Sequence, residues 1–454
     1  MSMKPERGLH ELYANDPERA DAVIFGRRTD VSRRGFLRGG GVAAVSAAVG
    51  ATIPFAAMMP GGLVPAALAQ AKPPVEPPKT APVDKGPKLL KFEGKDGRLV
   101  VLGERPLVAE TPEHLLDDDT TPTEKFYIRN NGQIPEASKD PDAWKFVVDG
   151  EVNKKLELSV GELKKKFQQV TYKLQLECGG NGRSAFVPDA RGNQWTNGGM
   201  GNAEWTGVRL ADVLKAAGLK PTAKYTAHSG ADPHLSGDAT KQSLSRGVRL
   251  PKALDPHSLV VLAMNGKPLP LVHGGPVRLL IPGWAGSASH KWLTRIWIRD
   301  KEHDGPGMTG TSYRVPKVPM IPGSKADNAN MAILESMPVR AIVTSPANGA
   351  ELAAGTRSVA LRGAAWAGDK TVAAVHVSID FGQTWQLAQL RAPRNRYDWQ
   401  RWTAQVKLPS HGYYEIWCRA TDSDGRMQPH AAPNWNPQGY GGNAMHRVAV
   451  LVKA

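Results

Sequence analysis

The chain has 454 residues, 41% of them apolar and 22% charged, with a formal net charge of +15. That balance excludes a disordered chain and gives room for two folded domains, while twelve Trp and 36 Pro favour a loop-rich α+β or β protein over a helical bundle. The positive excess suits anionic substrates or an acidic partner; no basic run is interleaved with aromatics, so nothing points to nucleic acid.

In chain order, Ser32-Arg33-Arg34-Gly35-Phe36-Leu37-Arg38 carries the twin-arginine pattern. Gly39 to Ala69 then contains no Asp, Glu, Lys or Arg and ends in Ala67-Leu68-Ala69, an A-x-A cleavage site. Pro54, Pro60 and Pro65 argue against the alternative, a lasting transmembrane anchor. Residues 1–69 therefore read as a signal peptide cleaved near Ala69, leaving a periplasmic protein with no membrane anchor. Twin-arginine export carries proteins already folded, so it implies a cofactor loaded beforehand. Residues 70–94, rich in Pro and Lys, read as an extended linker.

From 95 to 325 short strands and helices mix. Ser159 and Glu162 form a capping box ahead of a short helix. Leu210, Val213, Leu214 and Ala217 repeat at helical spacing until Gly218 and Pro221 stop them. SLVVLAM (258–264) is a buried strand, Asn265-Gly266 a turn and PVRLLIP (276–282) another strand. From 326 to 454 the pattern is β: Val375, Val377, Ile379 and Phe381 alternate with other residues, as do Ile416, Cys418 and Ala420, and Val448, Val450 and Val452. This predicts an immunoglobulin-like sandwich with Cys418 inward as a small core residue.

The second cysteine, Cys178, ends an apolar strand and enters the loop CGGNGR (178–183), 240 positions from Cys418. The pair is no disulfide framework, and neither lies in C-x-x-C-H, so no covalent haem is expected in this chain. A thiolate is a soft metal ligand. One thiolate beside a glycine-rich loop does not suit zinc, which takes three or four protein ligands; it suits a metal whose other ligands come from an organic cofactor. Arg129, Arg183, Arg191, His273, Arg278 and Lys291 stand in Gly- or Pro-rich loops and together would form an anion site.

MNGKPLPLVHGGPVRLLIPGWAGSASHKWLTRI (264–296), RGAAW, VHVSIDFGQTW, WQRW and PNWNPQGYGGNAMHRVAV resemble the sulfite oxidase family of molybdenum enzymes over nearly all of 95–454. The resemblance implies an α+β molybdopterin-binding catalytic domain (95–325) followed by an all-β immunoglobulin-like dimerisation domain (326–454). Cys178 falls on the family's molybdenum ligand. Tyr127, Ile128, Arg129, Asn130, Asn131, Asp232, His273, Arg278, Ser289, His290 and Lys291 fall on its molybdopterin contacts. Arg129, Arg183, Arg191, Trp195 and Arg401 fall on positions lining its oxyanion pocket. The implied chemistry is oxygen-atom transfer to sulfur, with electrons leaving singly to an outside carrier.

Three departures stand out. Animal members carry His at Asn131, a second Arg at Gly182, and an active-site Tyr near SLSRGV (243–248), which has none. Together with DARGNQW, EWTGVRLADVLKAAGLKP and HDGPGMTGTSYRVP, these features resemble the branch of sulfane dehydrogenases in the bacterial Sox system. That branch oxidises a cysteine persulfide on a carrier protein's arm. The partners it implies are a diheme c-type cytochrome subunit, the sulfur carrier protein, and a second copy of this chain through the C-terminal domain, within a heterotetramer. The rival is a free-sulfite dehydrogenase. Exported methionine sulfoxide reductases lack the sandwich, nitrate reductases need haem and flavin modules, and a non-enzymatic scaffold would contain no molybdenum.

Overall fold

The computed structural model describes residues 86–454. The residues read as an export signal and most of those read as a linker lie outside the described residues. The fold already includes part of the stretch read as linker: Leu89 bridges Val100, and Leu90 is buried with Leu99, Ala109 and Ile128. The apolar Leu89-Leu90-Lys91-Phe92 step supplies that contact, so the packing of the first half includes residues before 95.

Besides a small sheet of Val100–Glu104, Leu107–Glu110 and Ile128–Arg129, the first half contains two larger sheets and short helices. One runs Lys267–Pro268, Leu259–Met264, Met200–Arg209, Gln169–Glu177, with Arg278–Leu280 on the free edge of Leu259–Met264. Its pairings are antiparallel throughout. The other runs Leu156–Ser159, Lys145–Gly150, Leu293–Arg299, Tyr225–Gly230, with a parallel pairing at its centre. The helices Val160–Lys166 and Leu210–Ala217 supply buried Val160, Leu163, Leu210, Val213, Leu214 and Ala217 to a common core with Phe146, Val260, Leu279 and Ile296. Both helices begin and end where their residues require. Ser159 accepts from the Glu162 N–H at 3.1 Å while Glu162 accepts from the Ser159 N–H at 3.0 Å. Gly218, at φ +70°, stops the second helix. Asn265 and Gly266, at φ +52° and +73°, make the turn between paired strands.

The second half is a sandwich of two sheets. Arg340–Ser345, Ser358–Trp366, Gln400–Lys407 and Gln389–Leu390 form one; Ala350–Leu352, His446–Val452, Gly412–Asp422, Val372–Ser378 and Gln386–Leu387 form the other. Cys418 is fully buried among Val375, Val377, Ile416 and Val448. The alternation predicted through Phe381 is cut short: the strand ends at Ser378, and Phe381 stands 59% exposed at φ +58°. Asp380 accepts from the Thr384 N–H at 2.9 Å and so folds the chain into a turn there.

The two halves are joined by side chains as well as by the chain. The connection doubles back, Met331–Ile333 pairing with Arg314–Pro316. Asp119 contacts Lys173, Arg391 and Arg394, and Asp117 contacts Arg362 and Arg401.

Candidate active site

Cys178 leaves the strand Gln169–Glu177 at the wall of a cavity. The thiol is only 7% exposed. Its own N–H donates to Gly199 O at 2.8 Å, and its carbonyl accepts from Asn181 N at 2.9 Å, so the loop folds back immediately after the strand. Among the described residues no three His, Cys, Asp or Glu side chains converge as a metal cluster. A metal in this cavity would have one protein thiol.

Cations dominate the rest of the wall. Arg129, at the end of the short strand Ile128–Arg129, donates from Nη2 to Asn131 Oδ1 at 2.7 Å. Lys291 donates to Asn130 Oδ1 at 2.6 Å and to Val272 O at 2.7 Å. Arg278 spends its fork on backbone, donating to His273 O at 2.8 Å, Ser289 O at 2.7 Å and Leu279 O at 3.2 Å. It therefore braces the two lining segments against each other. Behind His273, Lys95 donates to Thr123 O and Phe126 O at 2.6 Å each, with Nζ 3.1 Å from His273 Nε2.

Burial holds these groups far from their ordinary titration. Desolvation, with neighbouring cations, pushes Lys291 and His273 well below their usual ranges. Burial lowers Arg278 to about 10, His290 to about 3 and Lys95 to about 7. Desolvation also raises Asp232, the one carboxylate among the lining residues, to about 6. Three polar atoms on the wall are buried without a partner: Arg129 Nη1, His290 Nδ1 and Ser287 Oγ. Crowded cations and idle donors fit a polyanionic ligand, since buried polar groups are otherwise paired.

Of the residues singled out from the sequence, Tyr127, Arg129, Asn130, Asn131, Cys178, Asp232, His273, Arg278, Ser289, His290 and Lys291 all line this cavity. Five belong elsewhere. Ile128 is fully buried on the opposite side of its strand, with Leu99 and Ala109. Trp195 is buried behind the wall, edge-on to Tyr127 at 5.9 Å between centroids. Arg183 is turned away by Gly182 at φ +80°, and donates to Gln438 O and Asn193 O at 2.7 Å each. Arg191 is exposed. Arg401, expected at an oxyanion pocket, is not among the residues lining this cavity: it pairs with Asp117 at 2.7 Å and donates to Leu116 O at 3.0 Å, tying the two halves together.

Two of the departures read from the sequence also change. Gly182 is on the far side of the loop, where an added Cβ would meet Gly442 O at 2.5 Å, so its small size opens no space in this cavity. A tyrosine does reach the wall: Tyr313 donates its hydroxyl to Asn131 Oδ1 at 3.1 Å and stacks on Tyr440. It comes from HDGPGMTGTSYRVP rather than from SLSRGV. Ser287 and Lys95 were likewise missed. Ser287 sits inside the quoted 264–296 segment, whereas nothing in the local sequence marks Lys95.

Two family models cover this architecture: an oxidoreductase molybdopterin binding domain over residues 131–307 and a Mo-co oxidoreductase dimerisation domain over 331–453. The sulfite oxidase of Gallus gallus is 34% identical over 363 residues, spanning 77% of this chain and 77% of its own. The chain belongs to the sulfite oxidase family. The mitochondrial sulfite oxidase of Macaca fascicularis is also 34% identical over 377 residues, 78% of this chain; the chain spans 66% of that relative's length. Among solved structures, the sulfane dehydrogenase SoxCD of Paracoccus pantotrophus superposes with a TM-score of 0.64 at 25% identity, covering 78% of this chain and 88% of that one. Membership of the sulfite oxidase family implies the molybdenum cofactor, and the idle donors around Cys178, with Arg129 among them, fit an anionic pterin of that kind.

Proposed function

We propose that this chain is the molybdenum subunit of a periplasmic dehydrogenase that oxidises sulfane sulfur, held as a cysteine persulfide on a carrier protein, and passes the electrons to a c-type cytochrome. The observation that carries the reading is a buried thiol, Cys178, at the wall of a cavity crowded with Arg129, Arg278, Lys291 and His290. In this role Cys178 ligates the metal. Asn130, Asn131, Asp232, His273, Ser289, His290 and Lys291 hold the pterin, and Arg278 keeps the His273 and Ser289 segments at their spacing. When bound, the cofactor supplies oxygen-atom transfer to sulfur with two-electron uptake. Arg129 binds the anionic sulfur group and stabilises charge that develops on its oxygens. The similarity to SoxCD over 88% of that chain supports the sulfane substrate. So do the branch-like segments, and neutral Asn131 beside Arg129. The twin-arginine motif supports export after cofactor loading, and the dimerisation domain supports a homodimer.

A second reading, oxidation of free sulfite, is favoured by Tyr313 beside Arg129 and Asn131 and by the 34% identity to animal sulfite oxidases. Turnover of the purified complex separates the two. Persulfide-loaded carrier is expected to reduce the cytochrome much faster than sulfite does; a preference for sulfite overturns the sulfane reading. Cys178→Ser should lose molybdenum by elemental analysis together with turnover on both substrates, and undiminished oxidation by that variant would refute the role of the thiol.

A further inference from the structure

The carboxylate next to the thiol lies at the junction of both halves of the molecule. Glu177 and Arg340 are each 1% exposed, Arg340 coming from the sandwich strand Arg340–Ser345. Glu177 Oε1 accepts from Asn181 Nδ2 at 2.9 Å, and Oε2 accepts from Trp366 Nε1 at 2.7 Å, Trp366 also belonging to the sandwich. An indole N–H and a side-chain amide nitrogen only donate, so both oxygens serve as acceptors. The amide orientation is fixed because Asn181 Oδ1 accepts from Gly199 N at 3.0 Å. Arg340 Nε stands 3.6 Å from Glu177 Oε1, a charge contact rather than a hydrogen bond. Its fork donates to Asn181 O at 2.9 Å, to Gly442 O and to Asn197 Oδ1 at 2.6 Å. The loop that follows Cys178 is thus gripped at Asn181 by both a carboxylate and a guanidinium, and the sandwich supplies two of the three donor side chains.

We propose that Arg340 and Trp366 are positioning residues for the metal thiol, acting through Glu177 and Asn181, so that the C-terminal sandwich completes the metal site of its own subunit besides mediating dimerisation. The inference rests on the reading of Cys178 as a molybdenum ligand. Outer-shell partners of this kind hold a metal ligand in its productive orientation. Arg340→Met leaves the Glu177 carboxylate buried without its counter-charge and frees the Asn181 carbonyl. Trp366→Phe keeps a ring in place and removes the indole N–H, leaving Glu177 Oε2 without that donor.

The test compares wild type, Arg340→Met and Trp366→Phe, each purified as the exported protein. The readouts are the molybdenum-to-pterin ratio and the Mo(V) electron paramagnetic resonance spectrum. Arg340→Met is expected to lower the ratio about 10-fold and to broaden or shift the spectrum, with Trp366→Phe shifting the spectrum by less. A wild-type ratio and spectrum in Arg340→Met overturns the proposal. So does a wild-type spectrum in Trp366→Phe, because the indole contact to Glu177 then does not position the thiol. Should Arg340→Met fail to accumulate as folded protein, Arg340→Lys keeps the charge and loses the fork: an altered spectrum supports the proposal and an unaltered one overturns it. Wild-type protein devoid of molybdenum would instead refute the metal reading, whatever the variants do.

Discussion

Asp232 shows how far one side chain at the cavity feels its surroundings. Burial raises its carboxyl to about 6, which Lys291 opposes only in part. A carboxyl whose folded pKa lies above its unfolded value stabilises the fold in the protonated form, and that contribution is lost as pH rises through the folded pKa. Cofactor-free protein should therefore lose stability between about pH 4 and 6, and Asp232→Asn should flatten that slope in urea unfolding measured across the range. An unchanged slope in the variant would remove Asp232 from the account. The same sensitivity explains why Arg129 and Arg401, equivalent as cations in the sequence, differ in the fold. Arg129 keeps one nitrogen unpartnered on the cavity wall, whereas Arg401 spends its fork on Asp117 and Leu116.

At the scale of elements, the loop after Cys178 is the segment whose backbone the site depends on most. Gly182 lies in the left-handed region at φ +80°, and a Cβ there would press on Gly442 O at 2.5 Å and Arg340 Nη1 at 2.6 Å. Both the backbone conformation and the contact disfavour any side chain. Gly182→Ala is expected to cost about 2–4 kcal/mol in urea unfolding, and to disturb the molybdenum-to-pterin ratio because the same turn directs the thiol. A cost under about 0.5 kcal/mol would show that the loop relaxes freely. Elements remote from the site carry no such demand: the capped helix Val160–Lys166 serves the core through Val160 and Leu163.

For the molecule as a whole, a line of ion pairs joins the two halves. Asp119 meets Lys173 at 2.9 Å, Arg391 at 3.0 Å and Arg394 at 2.7 Å. Against the cost of its own desolvation, hydrogen bonds from Arg394 and Lys173 hold the carboxyl at about 2. Such a depressed carboxyl stabilises above its unfolded pKa, and the contribution disappears as pH falls through about 2. Its side chain is 41% exposed, so solvent screening limits the effect; Asp119→Asn is expected to lower stability by about 1–2 kcal/mol at pH 7. Thermal unfolding should show that deficit narrowing from about pH 4 downward, and a deficit independent of pH would assign it to packing instead.

Local sequence by itself determined the periodic features: the capping box at Ser159, the helix ending at Gly218, the Asn265-Gly266 turn and the alternation that buries Cys418. Each rests on contacts within a few residues, which a linear pattern records. It also marked most of the cavity wall, because 127–131 and 273–291 are compact segments whose cations stand in loops. Only the tertiary structure decided which cations keep idle donors. Arg183 and Arg401 sit in similar company along the chain, yet each has a partner far away, 255 and 285 residues distant, and no local pattern encodes such a pairing. Tyr313 enters the wall, and Glu177 meets Arg340, for the same reason: a buried polar group must find a partner, and which partner it finds depends on how the two halves meet.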